Sequence, residues 1–158
     1  MDVKSLLSNN LRQQGFKLGG GFWKRKLASG VTQLASIRKS RWGDRHYLDV
    51  GVTLDEAHGE PISKASNLWD LFGDSAHLAL TVKENQAILA DDYPMTDEER
   101  AAQMEGLFTD LQRKFYSRFE TSEAVIEYVK APPGGPPHVG HKIKVYLGLA
   151  PPIPTADS

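Results

Sequence analysis

The run from Val31 to Leu54, VTQLASIRKSRWGDRHYLDVGVTL, narrows the possible folds more than any other stretch. In its second half His46, Leu48, Val50, Val52 and Leu54 fall on one side. A period of two with one apolar side is what an extended strand shows when one sheet face is packed. The first half puts Thr32, Leu34, Ser36, Arg38, Ser40 and Trp42 on one side and Val31, Gln33, Ala35, Ile37, Lys39 and Arg41 on the other, and neither side is purely apolar. The polar break Gly43-Asp44-Arg45 suits the turn between them. The expectation is an antiparallel hairpin with one sheet face left for water or a partner. Gly51, with no side chain to pack, is read as a bulge or a close backbone approach.

The flanking sequence supplies the other elements. Asp2 can cap a helix carrying Val3, Leu6, Leu7 and Leu11 at helical spacing, which ends at Gly15 with Phe16 folding back. Gly19-Gly20-Gly21 is read as a turn from helix to strand, because no Lys-Ser or Lys-Thr opening a helix follows to make a phosphate cradle. Residues 22–27 are a first strand and Ser29-Gly30 the next turn. Residues 55–64 read as a polar loop, and Leu68 to Phe72 as a helical turn or a lip over the core. Alternation at Ala76, Leu78, Leu80 and Val82 predicts a fourth strand, and Ala87 to Ala90 a weak fifth.

Thr96-Asp97-Glu98-Glu99 is a capping box. Behind it Met104, Leu107, Phe108, Leu111, Phe115 and Phe119 recur every three or four residues, so a long helix over about 97–119 is expected on the buried sheet face. A shorter helix from Ser122 to Lys130 turns Val125, Ile126 and Val129 inward. The Pro- and Gly-rich stretch 131–137 separates His141 to Leu149, whose pattern fits strand or helix, with helix favoured. The fold class expected is α+β: an antiparallel meander of four to five strands, packed on one face by a long helix plus shorter N- and C-terminal helices. Residues 1–150 are read as a single domain and 151–158 as a flexible tail.

Composition removes several function classes. No cysteine is present, which excludes disulfides, thiol nucleophiles and cysteine-type zinc sites and suits a reducing, cytoplasmic setting. No apolar run approaches the roughly 20 residues needed to cross a bilayer. The net charge of −1 conceals an asymmetry: residues 1–50 carry ten Lys or Arg against three acids, +7, and residues 51–158 nine against seventeen, −8.

Candidate chemistry is sparse. His138 and His141 have H-x-x-H spacing, but the first follows a Pro-rich loop with no carboxylate nearby in sequence, so no metal is assigned. His46, His58 and His77 are scattered, no G-x-S-x-G elbow pairs with them, and Asp91-Asp92 reads as a polar turn before Pro94. No catalytic residue and no cofactor is expected. What remains is a basic and aromatic patch: Lys24, Arg25, Arg38, Lys39, Arg41, Trp42 and Arg45, with Trp23 and Lys26 among them. Such a mixture suits an acidic protein partner, because Trp and Arg dominate interface energetics, and equally suits phosphates and stacked bases. A solvated face with both tryptophans in the core is the third possibility.

The order Gly15-Phe16, Phe22-Trp23-Lys24-Arg25, Ile37-x-Lys39-Ser40-x-Trp42 and Tyr47-x-x-Val50-Gly51-Val52 resembles the bacterial domain-of-unknown-function family numbered 4304, mainly over residues 1–54 and 76–120. That resemblance implies an α+β domain without assigned enzymatic activity. By analogy with small bacterial proteins encoded beside toxins, it points to an immunity protein that neutralises a cognate toxin by occluding it. A protein-binding domain is therefore the leading expectation. A nucleic-acid-binding module using the same hairpin is the second, and an uncharacterised enzyme the third.

Overall fold

The computed structural model describes residues 2–58, 61–79 and 82–153. Helix α1 spans Val3–Gln13 and is capped as expected, the Asp2 side chain accepting the Ser5 amide. A second carboxylate, Asp91, accepts the Val3 amide at 2.8 Å from the far side of the chain. Six strands follow in chain order, β1 Lys17–Gly19, β2 Phe22–Lys26, β3 Val31–Lys39, β4 His46–Leu54, β5 Leu71–Asp74 and β6 His138–Val139. Each pairs antiparallel with its predecessor, giving one sheet ordered β1 to β6.

The expected α+β meander is present, with one strand more than the highest count. β1, β5 and β6 stand where no strand was expected, and the first of them comes from the glycine run. Gly20 and Gly21 both take positive φ, 67° and 84°, and close a hairpin between β1 and β2 where a helix-to-strand turn was expected. The predicted strand at Ala76 to Val82 is instead helical: α2 spans Ser75–Leu78 and α3 spans Val82–Ile88, while Leu80 lies outside the described residues. The cause is local, since the Asp74 side chain accepts the Ala76 amide and starts a helix at the point where β5 ends. The weak strand at Ala87 to Ala90 reduces to the end of α3 and a single bridge between Ala90 and Arg45.

Helix α4, Asp97–Lys114, has the complete Thr96/Glu99 capping box. It stops before the expected residue 119, because Phe115 leaves helical geometry at φ −124° and ψ −68°, and Tyr116–Phe119 continues as a tight 3₁₀ turn. Helix α5 spans Ser122–Lys130 and α6 spans His141–Tyr146, the favoured helical reading of that segment.

The helices cover one sheet face. Trp23, Ala35, Leu48, Val50, Val52 and Leu71 meet Val3, Leu7, Leu11, Met104, Leu107 and Phe115 in one buried cluster. Sheet and helices are also tied by polar bonds: Tyr116 Oη donates to the Leu34 carbonyl at 2.7 Å, and Gln33 Nε2 to the Tyr116 carbonyl at 2.9 Å. Burial pushes the Tyr116 phenol far above its ordinary range.

The opposite face is not open along its length, which corrects the sequence expectation. The segment before β5 returns across it and buries Trp69 completely, in a second cluster with Phe22 and Leu34. Gly51 makes this possible, since a Cβ there would lie 2.4 Å from Trp69 Cε3 and 2.5 Å from the Leu71 carbonyl oxygen. Of the two readings of Gly51, close approach is the one observed. Gly140 presses in similarly beside the Trp69 carbonyl and donates its amide to the Asp70 carbonyl at 2.8 Å.

Candidate interaction surface

The β3–β4 register sets Arg38 opposite Tyr47 and Lys39 opposite His46, so the turn at residues 40–45 forms the tip of the hairpin. The tip is built, not loose. The Ser40 amide donates to the Arg45 carbonyl at 2.8 Å, and the Trp42 amide to Ser40 Oγ at 3.1 Å. Behind it the 89–91 segment braces the strand, His46 donating its amide to the Leu89 carbonyl and Asp91 its amide to the Asp44 carbonyl.

The seven predicted patch residues separate into three groups. Arg25 faces the helices: Nε and Nη2 donate to Gln33 Oε1, Nη2 also to Gln112 Oε1, and Nη1 to the Gln14 carbonyl. Its guanidinium lies 4.5 Å from the Phe16 ring centroid and 5.3 Å from that of Tyr116, and burial lowers its pKa below the ordinary arginine value. Arg25 is thus an internal strut. Lys24 sits on the opposite sheet face, its Nζ 4.8 Å from the Phe22 ring centroid, beside the Trp69 cluster.

The remaining five gather at the tip. Arg38 holds Asp49 with two bonds, Nε to Oδ2 at 2.5 Å and Nη2 to Oδ1 at 3.0 Å, and these bonds raise its pKa. The Arg38 and Arg45 guanidinium carbons each lie 5.0 Å from the Tyr47 ring centroid. Arg45 Nε is buried without a hydrogen-bond partner. Lys39 and Arg41 are exposed, and Trp42 is 93% exposed. The chain's other tryptophans, Trp23 and Trp69, are 4% and 0% exposed. The tip can therefore present a flat apolar ring amid cations held by stacking and by one ion pair.

The histidines take separate roles. His46 is buried with Nδ1 3.4 Å from Asp91 Oδ2. His138 lies across Phe72, ring centroids 5.5 Å apart, and His141 Nε2 meets the Pro151 carbonyl at 3.0 Å. Sequence reasoning missed His58, whose Nε2 is 2.7 Å from Oδ1 of the fully buried Asp70. Oδ2 of the same carboxylate accepts the Leu54 amide at 2.7 Å. The two residues stand twelve positions apart in sequence, so no periodic signal announced the pair.

No family model, curated protein or solved structure matches the chain. Among the described residues no helix is long and apolar enough to cross a membrane.

Proposed function

We propose that the chain is a non-enzymatic protein-binding domain that docks the β3–β4 tip on an acidic partner. Trp42 is the central anchor, and Lys39 and Arg41 are the contacts that choose the partner's charge. The specific form of this reading is a bacterial immunity protein that occludes a cognate toxin, by analogy with small bacterial proteins encoded beside toxins. One observation carries it: a chain that buries its other two tryptophans leaves Trp42 93% exposed at a braced tip. An indole covering roughly 200 Å² forgoes on the order of 5 kcal/mol by staying in water, at about 25 cal/mol per Å². Such rings, ringed by arginine, are what interface hot spots are made of.

The test is an affinity measurement against the product of the neighbouring gene, with growth rescue in cells producing that product. The triple variant Lys39→Glu, Arg41→Glu, Trp42→Ala is expected to bind about 100-fold or more weakly, the loss of one hot spot and its charges, with an unchanged circular dichroism spectrum. Equal binding by this variant removes the assignment. Single-strand binding that falls steeply with salt would favour the nucleic-acid reading instead. The tip offers one fully exposed ring, however, whereas Tyr47 is already occupied by two guanidinium groups.

A further inference from the structure

A cleft of about 480 Å³ opens between the segment 61–68 and α6, well away from the hairpin tip. Eight strand steps separate His46 from Leu54, roughly 26 Å at about 3.3 Å per residue. The cleft walls are apolar, formed by Ile62, Leu68, Val145 and Ile153, and its volume falls within the range of about 300–1,000 Å³ typical of small-molecule sites. Leu68 and Ile153 remain 57% and 72% exposed. The far wall is pinned in place by the contact between His141 Nε2 and the Pro151 carbonyl.

The ionisable side chains of the lining are all basic, beside the neutral Ser63 and Asn67. His58, His141 and Lys142 border the cleft, and no carboxylate does among the described residues. His58 is also fixed in place, its side chain only 8% exposed and its Nε2 bound to Asp70, which is 0% exposed. In the tautomer whose Nε2–H donates to Asp70, Nδ1 is the ring nitrogen left for a ligand. A ring held by a buried carboxylate while its second nitrogen remains available is the arrangement that orients a histidine for a bound group.

We propose that this cleft binds a small amphiphilic carboxylic acid, its apolar body between Ile62, Leu68, Val145 and Ile153 and its acid group on His58 Nδ1. One proton is shared along that contact: a neutral His58 accepts it from the carboxylic acid, and a protonated His58 donates it to the carboxylate. Asp70 is a positioning residue that does not touch the ligand. The site is independent of the hairpin, so Trp42→Ala leaves it intact.

Octanoate is the probe, titrated into the full chain at pH about 6.5, near the ordinary histidine range, and followed by calorimetry and by the His58 imidazole resonances. Saturable binding with Kd below about 1 mM is expected, with octylammonium and octanol at least about tenfold weaker, the step one charge-assisted contact supplies. His58→Gln, whose amide can still donate to Asp70, should weaken octanoate by about tenfold and leave octanol unchanged. Val145→Trp fills the cleft and should abolish binding of all three. The proposal is overturned if octanoate fails to saturate, if octylammonium binds equally well, or if either variant binds octanoate like the parent.

Discussion

Two tryptophans meet the same hairpin and finish at opposite extremes, Trp69 at 0% exposure over the middle of β4 and Trp42 at 93% on the tip. Beneath Trp69 the strand carries Gly51, and the missing side chain leaves a recess that the indole fills. Around Trp42 no such recess is seen among the described residues, and Tyr47 on the adjoining strand already has the Arg38 and Arg45 guanidinium groups 5.0 Å from its ring centroid. The same residue type thus serves packing where the partner strand gives way and is left for recognition where the strand is filled. The difference is set by the neighbours, not by the indole.

This contrast can be broken by mutation. Trp69→Ala should cost the most, about 3–5 kcal/mol in urea unfolding, the range for emptying a buried aromatic site. A loss below about 1 kcal/mol would mean that Trp69 does not hold the second face. Gly51→Ala comes next: its methyl would meet both a ring and a backbone carbonyl, and about 1–3 kcal/mol of overpacking is expected from the same measurement. Trp42→Ala should be the mildest, within about 0.5 kcal/mol of the parent, as for an exposed position free of structural roles. A larger loss would make Trp42 a packing residue and erase the contrast.

Much of this architecture was legible in the residues. Alternation located β4 and showed which of its sides faces the core, Thr96 and Glu99 marked the start of α4, and Asp2 and Gly15 bracketed α1. What escaped was either too short or too distant to leave a pattern. Lys-Leu-Gly in β1 carries no alternation, and its strand exists only because two glycines turn it back on β2. Ala76 and Leu78 alternate by chance within a four-residue helix, where the informative residue was Asp74 just ahead of it. The patch was legible as composition but not as placement. Arg25 and Lys24 are neighbours in sequence, yet strand geometry sends them to opposite faces, and only the packing of α4 and of the 61–70 segment decides what each finds there. Trp69 was read within a helical turn or lip over the core, whereas its seat on Gly51 is a long-range pairing that spacing does not encode.

A sheet whose spatial order repeats its chain order has a kinetic meaning. Each strand through β5 can zip onto a predecessor that has already left the ribosome, so loop-closure costs stay small as synthesis proceeds. The last strand breaks this rule, because β6 reaches the β5 edge only after four helices have been made. Until then the nascent domain exposes an unpaired backbone edge, and a chain shortened before Val139 would keep that adhesive rim for good.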